Sequence, residues 1–190
     1  VKVLITSVPF GATDDGPLRM LAAAGVEYLV NPFNKRLTED QLCELIADVD
    51  SLIAGTEPIT AKVLDRAPRL RHIARIGIGH DNVDLIDTRA RGIRVSYTPD
   101  APTAAVVELT LGMILTLLRS VHVSNARMHE GRWQRFFGRR VSEVTFGVIG
   151  AGRIGSRVVR ALQALGATRI LVNDIADGAS TGLTGVEWAS

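Results

Sequence analysis

Residues 145–175 read TFGVIGAGRIGSRVVRALQALGATRILVNDI, and the fold is decided there. A short apolar strand is predicted over Phe146 to Ile149, running straight into Gly150-Ala-Gly152-Arg153-Ile154-Gly155. Val158, Val159, Leu162 and Leu165 then recur at the spacing of one helix face, and Gly166 stands where a helix is commonly closed by glycine. A second apolar strand, Ile170 to Val172, ends at Asn173-Asp174. This strand, turn, helix and strand place the glycines at the G-x-G-x-x-G spacing of a dinucleotide fingerprint.

Each position in the turn has a physical reason. Gly150 permits a tight exit from the strand, and Gly152 lacks a Cβ, so a pyrophosphate can lie against the backbone. Gly155 lets the helix pack close to the strand, and the helix N-terminus offers free N–H groups and a positive dipole end to the phosphates. Arg153 and Ile154 complete the candidate cofactor-binding turn. Asp174 follows Gly155 by 19 residues, where its carboxylate can accept from ribose hydroxyls. That acid favours NAD over NADP, because it repels a 2′-phosphate and no arginine follows it to compensate. A glycine-rich turn that binds nothing is the plainer alternative; the flanking strand and helix and the placement of the acid weigh against it.

The 190 residues suffice for one large domain or one and a half small ones, and a hydrophobic fraction of 46% can supply a core. The net charge of +2 leaves no basic stripe for nucleic acid; the arginines among Trp133, Phe136 and Phe137 read as a solvated face. The single cysteine, Cys43, excludes an internal disulfide and fits a reducing compartment. The longest apolar run, Ala104 to Leu118, is too short to span a bilayer and holds Glu108. A cytoplasmic protein without membrane partners is expected, and no metal site is predicted.

Upstream, strands are predicted over Val1 to Val8, Val26 to Val30, Ser51 to Ala54, Arg71 to Ile76 and Ile93 to Tyr97. Helices alternate with them: Asp15 to Ala24 stopped by Gly25, one opened by a Thr38-Glu-Asp-Gln41 capping box, one capped by Thr60, and Asp84 to Arg91 stopped by Gly92. The alternation predicts an α/β protein whose parallel sheet is covered on both faces. The two prolines of Thr98-Pro-Asp-Ala-Pro102 break it and place a domain boundary, giving residues 1–98 and 99–190. Pro102 opens a helix from about Thr103 toward His129 whose first half is apolar nearly all round, including Leu109, Leu111, Met113 and Leu117. Such a helix needs cover on every side, so its stretch around 103–118 is expected to form a homodimer interface.

Several stretches, in order, resemble one family: Arg75-Ile-Gly77-Ile78-Gly79-His-Asp81-Asn82-Val-Asp84, Arg91-Gly-Ile-Arg-Val95, Thr98-Pro99, Val107-Glu-Leu109, Gly131-Arg-Trp133 and the Gly150 fingerprint. These are similar to the NAD-dependent D-isomer-specific 2-hydroxyacid dehydrogenases, the phosphoglycerate dehydrogenase type in particular. The resemblance implies a flavodoxin-like substrate domain followed by the first half of a Rossmann NAD-binding domain. It implies that Gly77, Ile78 and Gly79 bind the carboxylate of a small 2-hydroxy or 2-oxo acid through backbone N–H groups, which agrees with glycines placed after a strand. The side chain of the acid would be read partly by Thr6 to Phe10. Asp81 and Asn82 read as turn and cap residues, Arg75 as a candidate anion contact or an ion-paired arginine, and His80 as non-catalytic.

The resemblance also implies an Arg, a Glu and a His that polarise and protonate the 2-oxo group. All three are expected beyond Ser190, with the later strands of the second sheet, so no catalytic residue is assigned within the chain. A second sheet of two strands is expected here. The alternative is a truncated, non-catalytic relative that dimerises or binds nucleotide. Another Rossmann enzyme, such as a methyltransferase, is disfavoured by the Gly77 to Asp84 loop.

Overall fold

The structure is a computed structural model that describes residues 1–176 and 178–189, so Ser190, the expected end of the second domain, lies outside it. Two compact units follow one another, Val1–Ala101 and Pro102–Ser190.

In the first unit five parallel strands, β1 (Lys2–Ile5), β2 (Glu27–Val30), β3 (Ser51–Ala54), β4 (His72–Arg75) and β5 (Arg94–Tyr97), lie in the order 2-1-3-4-5. Helices α1 (Gly16–Ala23), α2 (Glu39–Leu45), α3 (Ala61–Asp65) and α4 (Leu85–Ala90) make the crossovers. Strands buried on both faces need no polar alternation, and Val3, Leu4 and Ile5 of β1 are all buried. Leu4, Leu42, Leu52, Ile59, Val63 and Ile73 belong to one core. The predicted first strand is too long: Thr6 still bonds the Ile53 carbonyl, and then Pro9 and Gly11 turn the chain away.

Helix ends in this unit are fixed by side chains. The capping box forms, with Gln41 N–H donating to Thr38 Oγ1 (3.3 Å) and Thr38 N–H donating to Gln41 Oε1 (3.1 Å). Asp84 caps α4 by accepting from Asp87 N–H at 2.9 Å. Thr60 precedes α3 but does not cap it, contrary to expectation. Its hydroxyl donates to Glu39 instead, while Lys62 bonds Glu39 (3.2 Å) and Asp40 (2.5 Å), tying α3 to α2. Those two carboxylates push the Lys62 ammonium up to about 12.

The second unit opens with α5 (Thr103–Leu118) and α6 (Val121–His129). One helix was expected over this stretch; there are two, bent by 67° at a left-handed Ser120 (φ 52°). The carbonyl of Leu118, released from the helix ladder, accepts from Arg139 N–H at 2.9 Å, so the break leaves no orphan there. A 3₁₀ turn, Val141–Glu143, leads to β6 (Thr145–Ile149), α7 (Gly155–Ala164), β7 (Arg169–Asn173), a short α8 (Gly178–Thr181) and β8 (Glu187–Trp188). The sheet is parallel in the order 6-7-8, so it has one strand more than the two expected. Its core contains Val158, Val159 and Leu162 of α7 with Ile170 and Val172 of β7, and Val107 of α5 joins them. Leu165 falls outside α7, at its cap, and is exposed rather than packed. On α5, Leu111 and Ile114 pack inward, while Leu109, Met113 and Leu117 are 65%, 59% and 67% exposed. Among the described residues no single helix is long and apolar enough to cross a membrane.

Candidate functional site

In the second unit the candidate site is the turn between β6 and α7. Gly150 adopts φ +88° and donates its N–H to the Asn173 carbonyl at 2.7 Å, which stitches the turn to the end of β7. A Cβ on Gly155 would stand 1.8 Å from the Gly150 carbonyl oxygen, so no other residue lets α7 start there. A Cβ on Gly152 would have nothing within 4 Å, and that open space lies where the backbone can meet a phosphate. Arg153 is exposed in the turn, and Ile154 packs against the core of the unit.

Asp174 comes to this turn from the end of β7. Its Oδ1 accepts from Ala176 N–H at 2.8 Å, and its Oδ2 accepts from Ala151 N–H inside the glycine turn. The amides of Ala176 and Ala151 hold its carboxyl below the usual carboxylate range. A carboxylate has about four lone-pair sites. The backbone amides use part of this capacity, and the remainder can accept from ribose hydroxyls. The open face of Gly152 and this acid fit a dinucleotide.

In the first unit the candidate anion loop follows β4. Gly77 adopts φ +130°, and its N–H donates to Thr98 Oγ1 at 2.7 Å. That amide is therefore engaged, contrary to the expectation of three free ones, and those of Ile78 and Gly79 have no protein acceptor among the described residues. A Cβ on Gly77 would meet Arg75 Nη1 at 2.5 Å, so the guanidinium lies against the loop. Arg75 is buried, and its Nε donates to Asn82 Oδ1 at 3.3 Å. Asn82 in turn donates to the carbonyls of Glu57 (2.7 Å) and Gly55 (3.3 Å). Asn82 thus locks the loop after β4 to the loop after β3. His80 stacks obliquely on Tyr97, with ring centroids 5.3 Å apart.

One group here escaped the sequence reading. Glu57 is 1% exposed, and its Oε1 accepts from the Thr6 hydroxyl and from Gly55 N–H at 3.1 Å. Thr6 lies in the segment expected to read a substrate side chain. With Ser7, Gly55, Arg36 and Arg75 these residues line a pocket of about 170 Å³. It opens at the C-terminal ends of β1 and β3, where the strand order reverses, which is the customary ligand position in open α/β sheets.

A family profile described as the catalytic domain of D-isomer specific 2-hydroxyacid dehydrogenases matches residues 4–185. The chain belongs to this family. Among relatives of the family, the D-3-phosphoglycerate dehydrogenase of Methanocaldococcus jannaschii is 40% identical over 134 residues, 68% of this chain and 25% of that protein. The glyoxylate reductase of Thermococcus gammatolerans is 35% identical over 150 residues, 74% of this chain and 45% of that protein. A Thermus thermophilus protein superposes with a TM-score of 0.85 at 30% identity, over 100% of this chain and 60% of that one. The D-lactate dehydrogenase of Aquifex aeolicus, solved with NAD and lactic acid, superposes with a TM-score of 0.82 at 26% identity, over 99% of this chain and 56% of that one. The chain therefore spans between 25% and 60% of the length of these relatives.

Proposed function

We propose that the protein carrying this chain is an NAD-dependent D-2-hydroxyacid dehydrogenase. Residues 1–98 hold the 2-hydroxy or 2-oxo acid, and residues 99–190 begin the nucleotide domain. The observation that carries the reading is the Gly150–Gly155 turn with Asp174 bonded into it through Ala151. Bound NAD would supply the hydride acceptor. The chain's own part is placement: Gly152 and the start of α7 receive the pyrophosphate, Arg153 and Ile154 shape the turn, and Asp174 takes the ribose. In the first unit the amides of Ile78 and Gly79, beside the Arg75 guanidinium, take the substrate carboxylate. We assign no side chain of Val1–Ser190 to proton transfer.

The exposed apolar face of α5, with Leu109, Met113 and Leu117, supports a homodimer through this helix. Cys43 is a free, half-buried thiol whose pKa burial pushes up, in keeping with a reducing cytoplasm. The function is tested by titrating the whole protein with NADH and NADPH and following NADH oxidation with glyoxylate. Binding of NADH in preference to NADPH, with turnover, is expected; no NADH binding would overturn the reading. Sedimentation at micromolar concentration tests the dimer, and a monomeric wild type would remove it.

A further inference from the structure

We infer that Glu57 is a specificity-determining residue, whose buried carboxylate selects a 2-oxo acid bearing a side-chain hydroxyl at the carbon next to the carbonyl. The inference rests on the reading of the first unit as the substrate domain.

Glu57 lines the pocket with a carboxylate that protein donors serve on one oxygen. Glu57 is almost wholly buried, and a buried carboxylate needs hydrogen-bond donors around both oxygens. Oε1 has two, the Thr6 hydroxyl and Gly55 N–H. Oε2 has none among the described residues, and it belongs to a residue that lines the pocket at the ends of β1 and β3. Gly55 keeps this oxygen uncovered: a Cβ there would stand 2.9 Å from Oε2 and 3.2 Å from Ser7 Cα. The surrounding bonds hold the acceptor in place. Thr6 and Gly55 fix the carboxylate, and the Glu57 carbonyl anchors Asn82, which orients Arg75 against Gly77.

These positions describe a ligand with two functions. A carboxylate sits at the Ile78–Gly79 amides beside Arg75, and a donor reaches Glu57 Oε2. A hydroxyl fits, since it donates to Glu57, and Arg75 lines the same pocket. An alkyl group leaves Oε2 unpaired. A phosphoryl group presents only acceptors and negative charge to a carboxylate. Arg36 also lines this pocket, but it is exposed, so solvent screens its charge more than that of the buried Glu57.

The test uses the whole natural protein and four acids: glyoxylate, which has no side chain; hydroxypyruvate; 2-oxobutanoate, which puts a methyl in place of the hydroxyl; and 3-phosphohydroxypyruvate. Wild type is expected to favour hydroxypyruvate over 2-oxobutanoate by about 10- to 100-fold in kcat/KM, the usual penalty for an unpaired buried acceptor. Glu57→Gln removes the charge at nearly constant shape. It should raise the kcat/KM ratio of 3-phosphohydroxypyruvate to hydroxypyruvate by at least about tenfold. If Glu57→Gln does not fold, the wild-type ranking decides alone. Equal use of hydroxypyruvate and 2-oxobutanoate, a wild-type preference for the phosphorylated acid, or an unmoved ratio in a folded Glu57→Gln overturns the inference. Each of those leaves the dehydrogenase reading standing, because glyoxylate turnover reports on it separately. Absence of both NADH binding and glyoxylate turnover removes that reading and this inference with it.

Discussion

The Gly77–Gly79 loop and the Gly150–Gly155 turn both follow the C-terminal end of a parallel strand, yet they require glycine for different reasons. In the second unit the limit is backbone against backbone, since α7 begins so close to β6 that the Gly150 carbonyl fills the space of a Cβ on Gly155. In the first unit the limits are side chains: Arg75 lies over Gly77, and Asp81 Oδ1 stands 2.9 Å from a Cβ built on Gly79. One loop is rigid by construction and reads as a general phosphate cradle. The other is bounded by side chains, Arg75 and Asp81, which substitution can reshape.

The largest effect should come from the rigid loop. Gly155→Ala is expected to destabilise the second unit by about 3 kcal/mol or more, the upper range for overpacking, and to abolish NADH binding. Urea denaturation and nucleotide titration check this, and a variant that melts like wild type would show that α7 can shift away from Gly150. In the tunable loop, Gly77→Val forces a β-branched residue into φ +130° and against the Arg75 guanidinium. A strain of about 1–3 kcal/mol there should appear as a KM raised roughly tenfold or more, with NADH affinity nearly unchanged. An unchanged KM in the folded variant would move the substrate carboxylate elsewhere.

Asp174→Ser takes away the charge that opposes a 2′-phosphate, and should shift the ratio of NADPH to NADH affinity upward by about tenfold. Equal ratios in variant and wild type would mean that the acid serves only the turn. The smallest effect is on pH dependence. The Ala176 and Ala151 amides lower the folded pKa of Asp174 below its unfolded value of about 3.9. Its contribution is therefore fully present above about pH 4 and is lost as pH falls through the lowered folded value. Hydrogen exchange at the Ala151 amide, followed between pH 5 and pH 3, should keep its protection until below pH 4.

The contrast between the loops also separates what the sequence could reveal from what it could not. The fingerprint was legible because its constraints are local: strand, glycines and helix lie within a few residues, and Asp174 follows at a fixed spacing. The alternating strands and helices of the first unit were legible too, since four-residue apolar strands between caps and glycines carry a clear pattern. The break at Ser120 was not, because the acceptor it frees, the Leu118 carbonyl, is satisfied by Arg139 from a distant stretch. Strand β8 has only two residues, both exposed, and so no periodicity to read. Glu57 was hidden for the same physical reason. A glutamate before Pro58 reads as surface, and only Thr6, 51 residues away, turns it into a buried acceptor.

The position of β1 in its sheet has a consequence during synthesis. This strand lies between β2 and β3, both of which are made after it. Its apolar residues Val3, Leu4 and Ile5 cannot be enclosed until Ser51–Ala54 have left the ribosome. At ordinary rates of translation that delay is roughly 3 to 10 s. For that time the nascent chain carries an unpaired, sticky strand, which is the kind of segment that holding chaperones engage.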